Sequence, residues 1–230
     1  MSEWWTYTFS DFLLFSPRTY YRTIERYNGV VWPGHIATVG LGVAILALLG
    51  RPAAWRGRTV FTILATLWAW VAWAFLARRY AAINWAAVYF AWLFALQALL
   101  LILIGAIRGA VSFRPRRDTA GVLGIGLLVL SVGLYPMLAP ILGRGWRQAE
   151  VFGMVPDPTA IATLGLLLLA EGSRRWILLV VPLIWCAVSG ATLWAMGSPE
   201  TWLLLLAAAL VVGTRTSKVT TITAVSLPHG

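Results

Sequence analysis

An all-α, polytopic membrane fold follows from three properties of this 230-residue sequence: 60% of its residues are hydrophobic, only 11% are charged, and its apolar runs are long and lack any period-two alternation. A mean hydropathy of +0.80 exceeds what the core of a soluble domain this size needs. In lipid the backbone must satisfy its own hydrogen bonds, so only helices or closed barrels cross, and runs rich in Leu, Ala and Trp without alternation predict helices.

Residues 1–30 read as an interfacial amphipathic segment. Ser16-Pro17 is an N-cap followed by proline at the first helical position; Tyr20, Ile24 and Tyr27 then share one face, and Arg18, Arg22 and Arg26 run along another. The start, Met1-Ser2-Glu3-Trp4-Trp5, lacks the basic and apolar regions of a cleaved signal peptide, so the N-terminus is expected to be retained. Residues 31–214 form a single transmembrane domain with uncharged runs at about 32–50, 59–77, 80–107, 119–142, 159–170, 176–196 and 200–213. Against the roughly 20 residues that a span requires, these predict about seven transmembrane helices. The polar, Thr- and Ser-rich residues 215–230 read as a flexible cytoplasmic tail.

The net charge of +10 acts here as a topology signal and not as a nucleic-acid footprint. With the N-terminus outside, the inward loops collect eleven basic residues, Arg51, Arg56, Arg58, Arg108, Arg114, Arg116, Arg117, Arg174, Arg175, Arg215 and Lys218, against seven outside. The expected orientation is N-out, C-in. Arginine far outnumbers lysine, and with the Ala, Gly and Trp usage this suggests a GC-rich bacterial coding bias, so the expected location is the bacterial cytoplasmic (inner) membrane.

An internal echo refines the architecture. Residues 36–41 (IATVGL) return at 161–166 (IATLGL), each three residues after a proline, Pro33 and Pro158; residues 65–69 (ATLWA) return at 191–195. The implied layout is a 3+1+3 parallel repeat, with units at about 31–107 and 157–213 and a linker helix at about 119–142. Parallel repeats occur in transporters, where substrate sits near the midplane between repeats. The plan resembles the SWEET and PQ-loop transporters at the level of architecture, although the chain has no proline–glutamine pair. Microbial rhodopsins share a similar plan, but their Schiff base needs a lysine in the bundle and the only lysine is Lys218 in the tail.

The fifth run is short. Starting at Asp157 or Pro158 and ending by Gly172, it spans roughly 22 Å, less than the roughly 30 Å of hydrocarbon. Two readings follow: Asp157 caps its own helix, or residues 150–158 form a re-entrant, substrate-facing leg. Polar residues inside apolar runs mark a pathway or ligand contact, and they nominate Gln97, Asn84, Asp157, Thr159 and His35, with Trp68 and Trp194 from the repeat. Gln97 could equally serve an interhelical hydrogen bond, and His35 a wet interfacial one. Trp68, Trp70, Trp73, Trp85 and Trp92 exceed an interfacial belt and suit lipid packing or stacking on a ring. Tyr135-Pro136 should interrupt the fourth helix, and Gly121, Gly124 and Gly126 read as helix-packing glycines.

No metal-ligand cluster, nucleophile elbow, phosphate loop or carboxylate pair appears, and Cys186 is the only cysteine. An enzyme, a bound cofactor and a catalytic or metal site are therefore not expected. Residues 10–18 (SDFLLFSPR), 79–85 (RYAAINW), 148–159 (QAEVFGMVPDPT) and 190–197 (GATLWAMG) together resemble an uncharacterised bacterial family of small polytopic membrane proteins, a domain of unknown function. That resemblance implies a fold and supplies no activity. Two functions are expected: a small-solute permease built from the two repeats, or a non-catalytic accessory subunit of a larger membrane complex of the electron-transfer or light-harvesting type. The partners are then the lipid bilayer and, for the second function, other membrane subunits.

Overall fold

The computed structural model describes residues 14–51, 53, 55–113 and 118–225, with side chains described through Thr214. The charges at Arg114, Arg116 and Arg117, the side chains of Arg215 and Lys218, and the motif residues before Leu14 lie outside the described residues.

Each of the seven apolar runs contains a helix. The chain folds as α1 (Pro17–Val31), α2 (Gly34–Leu49), α3 (Arg56–Trp70), α4 (Ala87–Leu100), α5 (Thr119–Val129), the single turn α6 (Leu138–Ile141), α7 (Pro156–Leu169), α8 (Arg175–Ala195) and α9 (Thr201–Val225). Three helices end in wider π turns: Val71–Ala77 after α3, Leu101–Ile107 after α4 and Leu130–Leu134 after α5. The last runs into a 3-10 turn at Tyr135–Met137, where Pro136 has no N–H to continue the ladder, as its sequence position implied.

Four continuous helical segments are long and apolar enough to cross a bilayer, Arg56–Ala82, Ala87–Ile107, Thr119–Ile141 and Arg175–Ala195; a fifth crossing would be α1 with α2, a pair bent by 90°. The protein is thus a mostly helical integral membrane protein with four or five such segments. Two further apolar stretches are shorter, α7 and the Thr201–Thr214 part of α9, and the 14 residues of α7 reach about 21 Å.

The N-terminal helix has the expected cap, the Ser16 hydroxyl accepting from the Thr19 N–H at 3.2 Å. Tyr20, Ile24 and Tyr27 are buried against the bundle, while Arg18, Arg22 and Arg26 are exposed. Its end is pinned by Asn28, whose amide donates to the carbonyls of Arg147 (2.9 Å) and Ala149 (2.8 Å).

Every residue of α7 is buried, and α3, α5, α8 and α9 pack around it. A helix that is apolar all round belongs either in lipid or in a protein interior, and small residues select the interior by allowing backbones to approach. Gly165 of α7 faces Gly124 of α5: a Cβ on either would come within 2.8 Å of the other's carbonyl oxygen. Gly124 is thus a packing glycine as expected, whereas Gly126 faces open space. At the far end of α7 a two-residue antiparallel ladder, β1 (Ser112–Phe113) with β2 (Ala170–Glu171), ties the loop after α4 to the helix terminus.

Candidate functional site

At the N-terminal end of α7 the apolar bundle holds a group of buried polar side chains. Asp157 does not cap its own helix; Val155 stands at the cap position without a side-chain bond. The Asp157 carboxylate, 1% exposed, instead accepts from Trp185 Nε1 at 2.7 Å and from the Ser189 hydroxyl at 2.8 and 2.9 Å, both on α8. Phe90 and Phe94 meet the Trp185 ring edge-on, which fixes its N–H toward the carboxylate. Phe94 also lies 4.2 Å from the Trp68 ring, whose Nε1 donates to the Thr163 hydroxyl at 2.8 Å.

Two further carboxylates join this region from loops. Glu200 pairs with Arg144 and accepts from the hydroxyls of Tyr21 (3.0 Å) and Ser198 (2.9 Å). The Arg144 guanidinium also lies over the Tyr21 ring, 3.9 Å from its centre. Glu150, 3% exposed, stands seven residues before Asp157, and burial, followed by the nearby charges of Asp157 and Glu200, pushes its carboxyl well above the usual range. Three of the chain's eight acidic residues are buried at this end of the bundle.

The leg between Glu150 and α7 is a buried turn. Gly153, at φ +74°, donates its N–H to the Thr159 hydroxyl at 2.9 Å, and Thr159 donates to the Val155 carbonyl at 2.7 Å. This irregular backbone is enclosed by protein, and Thr159 supplies an acceptor for the Gly153 N–H and a donor for the Val155 carbonyl. Outside this turn an open cleft of about 880 Å³ is lined by Arg22, Arg26, Arg147, Trp32, Trp146 and His35, and its floor includes Ala149 and Val151, the residues flanking Glu150. His35 Nε2 shares a hydrogen bond with the Asn28 side-chain oxygen at 3.0 Å.

The residues nominated by the sequence therefore separate. Asp157, Thr159 and Trp68 surround the first turns of α7, and His35 lies in the cleft. Gln97 is buried elsewhere and donates to the Leu178 carbonyl at 2.9 Å, an interhelical bond. Asn84 folds back on its own loop and accepts from the Ala86 N–H at 3.0 Å, while Trp194 is 57% exposed on the outer surface of the bundle. Glu150, Glu200, Arg144 and Trp185 were not anticipated. The scarcity of acidic residues next to apolar runs was the one signal that could have singled out the two glutamates.

Among the described residues no group of three or more His, Cys, Asp or Glu side chains comes close enough to hold a metal ion. Residues 18–224 match a family of unknown function, DUF6064, and the chain belongs to it. No curated protein and no solved structure matches the chain.

Proposed function

We propose that this DUF6064 member is a non-enzymatic small-solute permease of the bacterial cytoplasmic membrane, oriented N-out and C-in, whose outer vestibule is the cleft above α7. The observation that carries this reading is the juxtaposition of an open cleft of about 880 Å³ with buried carboxylates at the start of the central helix. A cleft with a few convergent polar groups beside ionisable residues is the usual form of a small-molecule site, and ionisable groups within a membrane bundle mark pathways. The echoed segments meet here too, since Trp68 of the first unit bonds Thr163 of the second. That contact supports substrate passage near the junction of two parallel three-helix units.

Reconstitution into liposomes tests it. A panel of radiolabelled or fluorescent small solutes should include at least one whose uptake falls severalfold when Arg147→Glu cancels the net positive charge of the cleft, which Arg22, Arg26 and Arg147 provide against Glu25. Protein-independent flux for the whole panel would refute the permease.

A second reading, an accessory subunit of a membrane complex, is favoured by the exposed aromatic face of Trp85, Tyr89 and Trp92, which continues along α4 to a Trp92 that is 73% exposed. Isolation from the native membrane in mild detergent tests it: a stoichiometric partner protein supports this reading, and a lone chain with lipid refutes it.

A further inference from the structure

We propose that Glu150 is a proton-binding residue, and that the buried pocket it shares with Asp157, Tyr135 and the Arg144–Glu200 pair exchanges this proton with the cleft flanked by Ala149 and Val151. The proposal goes beyond the permease reading and stands whether or not a solute crosses.

Charge comes first. Three carboxylates, Glu150, Asp157 and Glu200, are buried at this end of the bundle, and the guanidinium of Arg144, whose charge also reaches Glu150, is already engaged by Glu200. Asp157 is buried too, but it is served by two donors, Trp185 and Ser189, that oppose the effect of burial and favour its carboxylate form relative to Glu150. Glu150 has no such donors for its Oε2 atom, and an isolated buried carboxylate is costly enough that neutralising it is the cheaper state. The phenols within electrostatic reach of it, Tyr20 and Tyr21 on α1 together with Tyr80 and Tyr135, add no positive charge.

Unpartnered polar atoms point the same way. Five buried side-chain N or O atoms lack a hydrogen-bond partner among the described residues, and three of them belong here: Glu150 Oε2, the Tyr135 hydroxyl and Arg144 Nη1. Tyr135 is 1% exposed and lies within electrostatic reach of all three carboxylates. A proton removes the charge from Glu150, so the unpartnered Oε2 no longer has to be stabilised as a buried anion. A metal cation fits less well, because among the described residues no trio of His, Cys, Asp or Glu ligands converges and Arg144 Nη1, a donor, would gain nothing from one. Binding forms one O–H bond at a Glu150 carboxylate oxygen with a proton from solvent, and release returns it. The path is short because the backbone on either side of Glu150 lines the open cleft.

Infrared difference spectroscopy of the full-length protein in lipid nanodiscs, recorded across a pH titration, tests this directly. The protonated-carboxyl C=O band should be present at neutral pH, disappear as pH rises, vanish in Glu150→Gln and persist in Glu25→Gln. A missing band at neutral pH, or one that survives Glu150→Gln, overturns the proposal. A second variant, Asp157→Asn, removes the neighbouring charge and should move the band's midpoint to lower pH; an unmoved midpoint overturns the pocket as described. Excess sodium at constant pH should leave the band in place, and its loss would make this a cation site. Solute flux is not read in any of these measurements, so a failed transport assay and a failed proton site are separate results.

Discussion

Residues 36–41 of α2 and 161–166 of α7 carry nearly the same six residues after the same proline spacing, yet they occupy opposite surroundings. In α7 all six are buried; in α2 Ile36 is 64% exposed and only Thr38 of the six is fully buried. Gly165 lies against the Gly124 backbone, whereas its counterpart Gly40 has nothing within 4 Å. Thr163 accepts from Trp68 of another helix, whereas Thr38 only donates to the His35 carbonyl in its own turn, at 3.2 Å. Lipid and protein interior are equally apolar, so hydropathy does not decide which helix becomes the centre of a membrane bundle. Neighbours decide it, through close backbone approach and a few polar anchors.

The comparison can be broken most forcefully at the glycines. Gly165→Ala sets a methyl group against a backbone carbonyl that cannot swing aside, and it should cost about 3 kcal/mol. Gly40→Ala should stay within about 0.5 kcal/mol. Thermal unfolding of both variants in the same detergent measures the difference; equal melting temperatures would mean that α7 is not the packed centre.

Next in size is the residue before each proline. Asp157→Ala leaves the Trp185 N–H and the Ser189 hydroxyl without their acceptor, and should lower stability by about 2 kcal/mol. Trp32→Ala, at the corresponding place before α2, removes a 64% exposed side chain and should change stability by less than about 1 kcal/mol. Chemical denaturation in mixed micelles would show whether that order holds.

A pH titration of stability sharpens the contrast between the two ends of α7. The native Glu150 carboxyl sits above its ordinary value, so the native state holds a proton that the unfolded state releases. The resulting stabilisation is fully present below the ordinary carboxylate pKa and is lost as pH rises through the native value. Melting temperature should fall over that window in the wild type and vary less in Glu150→Gln. A slope unchanged by the substitution would assign the pH dependence to another group.

The smallest effect is a coupling. Trp68→Phe and Thr163→Val share one hydrogen bond, so a double-mutant cycle should return an interaction of about 0.6 kcal/mol, the usual size for such bonds between membrane helices. The cycle on their echoes, Trp194→Phe with Thr38→Val, should be additive.

Much of the fold was legible because it rests on local rules. Long uncharged runs marked the helices, Ser16-Pro17 marked the start of α1, and Pro136 marked the break after α5. The span count was less legible. A run of apolar residues reports solubility in hydrocarbon, not whether the helix crosses it alone, as the 90° bend between α1 and α2 and the shortness of α7 illustrate. For the site, Asp157, Thr159 and His35 were visible as polar residues in or near apolar runs. The Trp185 partner of Asp157 was not, because it lies 28 residues further along the chain in another helix and nothing local ties the two.

Composition and local pattern by themselves determined that this chain is a helical membrane protein, where its helices lie and that Ser16 caps the first of them, since backbone hydrogen bonding in lipid and residue propensity act over a few residues at a time. Only the tertiary structure decided that α7 lies at the centre, that α2 with the same motif stays at the surface, and that three of the few acidic side chains are buried at the same end of the bundle. Those outcomes depend on which backbones can touch and which polar groups find partners 28 or more residues away along the chain, and no stretch of sequence carries that information alone.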